Sequence, residues 1–228
     1  MAVRELIHPG TGIWDQPGSQ ACAREASQRL AAAKAGSGQD VGELLQHYRN
    51  YLTLLATTQI EKRLRPRVGA SDIVQETMLR AHRHFGQFRG ETERELLAWL
   101  RQILVSNLAR SVELNLLAAR RDMRREISID QFKGSVDEST SRLEPLVLDE
   151  RASPSVAAQQ GEDAVALAQR MAQLPMRYRQ ILILRNVQGL SFEQIALRLN
   201  RSVGATRMLW LRAIEKLRRD YRKSEHET

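Results

Sequence analysis

Apolar residues recur every three or four positions in several stretches of the chain, a spacing that places them on one face of an α-helix. One stretch covers residues 41–64 and ends before Pro66, and a second runs from Ser71 or Asp72 to Phe85. A third runs from about Glu91 past Arg110. We predict that these three helices bury one core and form a domain over residues 40–129.

The same spacing returns further along and predicts a second helical domain over residues 161–223. A helix starts near Gly161, and Pro175 begins the next one, where its missing amide is harmless. That helix runs from Met176 to Val187 and ends at Gly189. Two short helices then fill residues 191–219, so the predicted fold class is all-α with two small helical domains.

The last two predicted helices have the pattern of a helix-turn-helix. Ser191 and Ser202 each precede an apolar-periodic run and can cap a helix through the hydroxyl. Asn200 falls at the turn, where a left-handed residue is needed. An ordinary helical hairpin is the alternative, but it does not explain the basic residues of the second helix, which are Arg207, Arg212, Lys216, Arg218 and Arg219.

The segments outside the two domains have compositions typical of unfolded chain. From residue 130 to 163, eight acidic residues outnumber three basic ones, and serine and proline recur. We therefore predict a flexible acidic linker over residues 130–160. Residues 1–39 contain at most a weak helix from Ala21 to Ala35, which predicts a flexible N-terminal arm, and residues 224–228 form a polar tail.

The charge balance favours a polyanionic partner. The chain has 35 Lys and Arg against 27 Asp and Glu, a net charge of +8. Nucleic acid fits this excess better than a membrane does, because no strongly apolar face accompanies the charge. No apolar run approaches the roughly 20 residues that cross a bilayer, and the N-terminus lacks a signal pattern, so we predict a cytoplasmic protein without a membrane partner.

The sequence contains no recognisable catalytic or metal-binding motif. Cys22 is the single cysteine, and no histidines accompany it at the spacing of a zinc site. A P-loop, a nucleophile elbow and a metal triad are all missing. We therefore expect no catalytic residues, no metal and no cofactor, and we predict that the protein is not an enzyme.

Four motifs together resemble the extracytoplasmic-function group of bacterial RNA polymerase sigma factors. They are DIVQETMLRAHRHFGQFRG, ELLAWLRQIL, LPMRYRQILILR and GLSFEQIALRLNRSVGATR. The resemblance covers about residues 41–222. It implies that the first domain is region two, which binds core polymerase and opens the minus-10 element, and that the second is region four, which binds the minus-35 element as duplex. The implied partners are the polymerase beta-prime coiled coil, the beta flap and promoter DNA, and the sequence leaves open whether an anti-sigma factor also binds.

The resemblance implies a polymerase-facing surface and a minus-10 site in the first domain. The DIVQE segment implies that Asp72, Ile73, Gln75 and Glu76 face the beta-prime coiled coil. Asp72 and Glu76 are four apart, so both carboxylates lie on one helical face. The family's pocket for a flipped base corresponds to Phe88 and Arg89 with either Ser106 or Asn107.

Both the aromatic residue and the basic residues of this region have alternative interpretations. Periodicity alone favours Phe88 as a residue that closes the end of the bundle, and Trp99 is expected to be a core anchor. A basic strip suits phosphate contacts near the minus-10 element, but a solvated helical face explains it equally well. Its residues are Arg110, Arg120, Arg121 and Arg124.

In the second domain, the resemblance implies minus-35 contacts at the exposed start of the recognition helix. Arg207 can make a bidentate contact to guanine, while Arg201 and the helix N-terminus can hold phosphate. The full predicted set is Arg201, Ser202, Val203, Arg207, Met208 and Arg212. The predicted function is a sigma factor that directs polymerase to specific promoters and supports DNA opening. The alternatives are a conventional helix-turn-helix regulator that needs no polymerase, and a helical adaptor protein.

Overall fold

The described residues of the computed structural model are 18–63, 69–118, 129–147 and 160–226, and all of their regular elements are helices. In chain order the α-helices are α1 Gly18–Ala35, α2 Gly38–His47, α3 Arg49–Arg63, α4 Ala70–His84, α5 Glu93–Ala118, α6 Ile129–Val147, α7 Gln160–Gln173, α8 Met176–Leu182, α9 Phe192–Leu199 and α10 Val203–His226. A 3₁₀ turn, Phe85–Gln87, follows α4, and a π-helical turn, Ile183–Val187, follows α8. The predicted all-α fold class is confirmed.

The first domain is built on α2 to α5, whose apolar faces meet in one core. The predicted helix over residues 41–64 is divided at Tyr48 into α2 and α3. Ser37 caps α2, and the Asp40 carboxylate accepts a hydrogen bond from the backbone N–H of Ser37 at 2.6 Å. α4 packs against both α3 and α5. The three-helix core predicted from periodicity is present, with α2 added as a separate helix.

The predicted flexible linker is wrong for residues 130–147, which belong to α6. Phe132 and Val136, four residues apart, are fully buried against the first domain. Ser139 is also buried and accepts a hydrogen bond from the amide of Gln59 in α3. Asp137 and Glu138 of α6 are exposed, so the acidic composition of the segment hid a narrow apolar face on the other side of the helix. Residues 148–159 of the predicted linker lie outside the described residues.

The predicted flexible arm is likewise wrong for its second half, where α1 is docked. Ala26, Leu30 and Ala33 of α1 are buried, and the helix contacts α2, α5 and α7. Three small or aliphatic residues at helical spacing are enough to hold this face on the core. Residues 1–17 lie outside the described residues.

The second domain packs against the first through α6 and α7. α7 contacts α3, α5 and α6, and its Gln169 amide donates a hydrogen bond to the backbone carbonyl of His47 at 3.3 Å. Gly189, at φ +70°, lies so close to the guanidinium of Arg142 in α6 that a β-carbon at this position would overlap it. The buried residues of the two domains therefore form one continuous apolar core.

Candidate protein and nucleic-acid interfaces

The exposed face of α4 carries three of the four residues predicted to bind polymerase. Asp72, Gln75 and Glu76 are exposed, as their spacing on the helix requires. Ile73 is buried in the core at 6% exposure, away from the surface on which its contact with polymerase was predicted. Ile73 instead anchors α4 against the bundle and holds the three polar side chains outward.

A shallow groove lies beside these residues, between α2 and α4, with a volume of about 350 Å³. Its lining residues are Gly42, Leu45, Arg49, Gln75, Met78, Leu79 and His82. Leu79 is 40% exposed, one turn after Gln75 on the same helix. Neither Leu79 nor the groove was predicted from the sequence, because two separated segments build the groove. An apolar residue beside exposed carboxylates gives this face the mixed character of a protein-binding surface.

Phe88, predicted either to stack on a base or to close the bundle, is 8% exposed and belongs to an aromatic cluster. Its ring centroid lies 5.2 Å from that of Trp99 and 6.0 Å from that of Phe85. Phe85 and Trp99 also meet edge to face at 6.3 Å. The structure supports the interpretation of Phe88 as a residue that closes the bundle, and Trp99 packs against the same core.

The loop after Phe88 is shaped by a second helix cap. Glu95 accepts hydrogen bonds from the backbone N–H groups of Glu91 at 2.8 Å and Thr92 at 3.0 Å, and from the Thr92 hydroxyl. The bond from Glu91 is the largest cause of a lowered pKa at Glu95. Gly90 lies against the Phe88 ring, where a β-carbon would come within 2.5 Å of a ring carbon. The cap and the close approach hold the loop so that the Arg89 side chain is exposed at its tip.

Asn107, one of the two predicted base-contacting residues, is 5% exposed and bonded at both ends of its amide. Its Nδ2 donates to Thr77 Oγ1 at 3.0 Å, and its Oδ1 accepts from Arg80 Nη1 at 3.1 Å. The Thr77 hydroxyl in turn donates to the Ile73 carbonyl at 2.7 Å. Asn107 therefore joins α4 to α5 in the free chain, and its part in reading a base stays a prediction.

The other predicted minus-10 residues differ in how the structure places them. Ser106 is half-buried, and its hydroxyl donates to the Gln102 carbonyl at 3.0 Å. Arg110 is exposed on α5, three residues after Asn107. The remaining arginines of the predicted basic strip, Arg120, Arg121 and Arg124, lie outside the described residues.

The predicted helix-turn-helix is confirmed in its local geometry. The Ser191 hydroxyl accepts from the Gln194 backbone N–H at 3.2 Å, and the Gln194 side chain accepts from the Ser191 N–H at 2.8 Å. Asn200 adopts the left-handed conformation at φ 50° and ψ 54°. The Ser202 hydroxyl accepts from the Ala205 N–H at 3.2 Å and so caps α10. α9 and α10 therefore begin where the sequence predicts, but α10 continues to His226, beyond the predicted end at residue 219.

The start of α10 presents most of the predicted minus-35 residues to solvent. Arg201, Ser202, Arg207, Met208 and Arg212 are exposed, and Val203 is half-buried. Leu211, which the sequence analysis did not select, is also 50% exposed, one turn after Met208. A helix with exposed arginines and apolar side chains at its N-terminal end has the chemistry that base edges and thymine methyl groups require.

In the part of the chain that the structure describes, every helix is too short or too polar to span a bilayer. Within the same residues, no three His, Cys, Asp or Glu side chains are placed to hold a metal ion.

Comparison with known proteins assigns both domains. The family described as Sigma-70 region 2 matches residues 44–113, and the family described as Sigma-70, region 4 matches residues 164–217. The RNA polymerase sigma-H factor of Pseudomonas aeruginosa is 31% identical over 146 residues, which cover 64% of this chain and 69% of that protein. The chain therefore belongs to the sigma-70 family of RNA polymerase sigma factors, with the pairing of regions 2 and 4 that is typical of the extracytoplasmic-function group.

Proposed function

We propose that the protein binds core RNA polymerase through α4, directs it to particular promoters and supports opening of the DNA. The observation that carries this proposal is the presence of two separate exposed surfaces. One is the acidic face of α4 with its apolar groove, and the other is the cationic start of α10. A regulator that binds duplex DNA alone has no use for the first surface, and the match to region 2 also disfavours that alternative.

For the polymerase contact, Asp72 and Glu76 supply two carboxylates on one face, while Leu79 and the groove supply apolar area beside them. Carboxylates of this kind pair well with arginines across an interface, and the apolar area adds affinity that salt does not screen. The proposed partner surface is the beta-prime coiled coil. The second domain contacts the beta flap, so that both domains bind polymerase.

For the minus-10 element, Arg89 is the residue of the first domain best placed to meet an opened strand. Its loop is held by the Glu95 cap and by the aromatic cluster under Phe88, so it can meet DNA without first becoming ordered. Ser106 and Arg110, on the following helix, extend this surface. Base capture in this region stabilises the open strand through binding energy alone, with no covalent step.

For the minus-35 element, α10 enters the major groove with its N-terminal end. Arg207 and Met208 face base edges, while Arg201 and Arg212 contact phosphates. The N-terminus of α10 adds a partial positive charge at the phosphate backbone. The site of this activity is the cytoplasm, where promoter DNA and polymerase are found together.

The test of this function is complex formation. The purified chain is mixed with core polymerase and the mixture is separated by size, with an acidic helical protein of similar size as the control. We expect a stable one-to-one complex. If the chain elutes separately from polymerase at micromolar concentrations and low salt, the proposed function is wrong.

A further inference from the structure

An aromatic ring joins two arginines in the helix-turn-helix. The guanidinium carbon of Arg185 lies 4.6 Å from the centroid of Phe192, and that of Arg207 lies 5.6 Å from it. Both distances are within the range of cation–π attraction. Trp210 of α10 meets the same ring edge to face at 5.7 Å. Phe192 therefore lies at the centre of a cluster that connects α9 and α10 with the π-helical turn after α8.

Two neighbours of the Phe192 ring, Arg185 and Trp210, are fixed by hydrogen bonds within the domain. Arg185 donates to the Leu190 carbonyl at 2.8 Å, and the Trp210 indole donates to the Asn186 side chain at 3.0 Å. Phe192 is the first residue of α9, directly after the Ser191 cap. The ring that Arg207 contacts is therefore held in place before any DNA arrives.

Glu193 is the second contact of Arg207. Its Oε1 lies 3.7 Å from a terminal nitrogen of Arg207, and the two side chains are 62% and 60% exposed. An ion pair this exposed contributes little to stability. The ion pair therefore has little effect on the fold. It does restrict the direction of the Arg207 guanidinium, and Arg207 lies at the start of the recognition helix.

We propose that Glu193 and Phe192 are positioning residues that orient the Arg207 guanidinium for bidentate contact with a guanine in the minus-35 element. This inference rests on the proposed function of α10. An arginine fork must lie in the plane of the base to donate to both guanine acceptors. Free arginine side chains lose rotamer entropy when they are fixed, so a guanidinium held in advance binds the correct base at lower cost.

The opposite role for Glu193 is also physically reasonable and gives a different result. A carboxylate at a DNA-facing surface repels phosphate, so in this role Glu193 only weakens binding to every sequence. In that role, its removal strengthens binding uniformly and leaves the preference for guanine unchanged. Positioning, in contrast, changes the preference at one base pair.

The experiment uses the complex of the full chain with core polymerase on a promoter library in which each minus-35 position is randomised, with transcript yield as the readout. Arg207→Lys identifies the base pair that Arg207 reads, because lysine cannot make the bidentate contact. Glu193→Gln is then measured on the same library. Glu215→Gln is the matched control, since Glu215 also pairs with an arginine of α10, Arg219 at 3.1 Å, but lies further along the helix.

We expect Glu193→Gln to reduce the preference for guanine about fivefold or more at the base pair that Arg207→Lys relaxes. A change of this size lies within the discrimination that one bidentate contact provides. The double variant should lose no more preference than Arg207→Lys alone, and Glu215→Gln should match the wild type. Phe192→Leu should relax the same base pair, with its thermal unfolding measured alongside to show that the domain is folded.

Two results would overturn the inference. One is that Glu193→Gln leaves the preference for guanine unchanged at the base pair that Arg207→Lys relaxes. This includes the case in which transcription from every promoter becomes equally stronger. The other is an unchanged preference in Arg207→Lys. Failure of the proposed function can be distinguished from these two results, because the wild-type complex would then give no sequence-specific transcripts at all.

Discussion

The side-chain amide of Gln59 in α3 donates a hydrogen bond to the hydroxyl of Ser139 in α6 at 3.1 Å, and both residues are fully buried. The same amide donates to the Ser135 carbonyl at 3.1 Å. Because a buried amide without partners is costly, these bonds fix α6 in register on the first domain. A segment with the composition of a linker is therefore part of the core.

Removal of the Phe132 side chain should test the docking of α6. Phe132→Ala is expected to lower the free energy of unfolding by about 3 to 5 kcal/mol, because it leaves a cavity in the shared core. Lys133→Ala, at the exposed neighbouring position, should change stability by less than about 0.5 kcal/mol. Urea unfolding monitored by circular dichroism measures both. Equal stability of the two variants would show that α6 is an undocked linker.

Charge reversal on α4 should abolish polymerase binding without unfolding the chain. Asp72→Lys with Glu76→Lys places two ammonium groups on a face proposed to meet arginines, so we expect at least a hundredfold weaker complex, a loss of about 3 kcal/mol or more. The control is Asp137→Lys with Glu138→Lys, two exposed acids of α6. Affinity for core polymerase is measured by titration of a labelled chain. Wild-type affinity in the α4 variant would refute this surface.

Asn107 should behave as a structural residue. Asn107→Ala removes partners from both Thr77 and Arg80, so we expect a loss of about 1 to 3 kcal/mol in the free energy of unfolding. Ser106→Ala, at the half-buried neighbouring position, should be nearly neutral. Chemical denaturation gives both values. If Asn107→Ala were fully stable and had lost only the preference at one minus-10 base, Asn107 would be a base-reading residue after all.

The two domains should separate when the protein spans a promoter. A compact chain of 228 residues has a radius of gyration of about 17 Å, whereas elements about 25 base pairs apart are separated by about 85 Å of DNA. The contact between His47 and Gln169 therefore cannot persist while both elements are bound.

Energy transfer between dyes measures this opening. Cysteines replace Asn50 and Gln173, two exposed residues near that contact, in a chain that carries Cys22→Ser. We expect high transfer in the free chain and low transfer in the complex of polymerase and promoter. A pair at Asn50 and Glu113, both in the first domain, should not change. High transfer in an actively transcribing complex would contradict the proposed separation.

The features that the sequence predicted correctly depend on local chemistry. The Ser191 cap, the left-handed Asn200 and the Ser202 cap each follow from a few neighbouring residues. The apolar faces of α4 and α5 are long enough to show helical periodicity directly. These signals give the fold class and the position of the recognition helix without any tertiary information.

The features that the sequence did not predict depend on contacts between distant segments. Phe132 and Val136 make too narrow an apolar face to stand out among acidic and serine residues, and only the bundle shows what they pack against. Asn107 has the same chemistry whether it meets a base or Thr77, so its partner decides its role. The groove beside Leu79 exists only because α2 lies next to α4.

Transcription from a promoter library by core polymerase, with and without the purified chain, tests the central claim most directly. We predict new transcripts that start downstream of a shared pair of sequence elements and that disappear when Asp72 and Glu76 are both changed to lysine. The same set of transcripts with and without the chain would contradict the account, as would transcripts that persist in the charge-reversed variant.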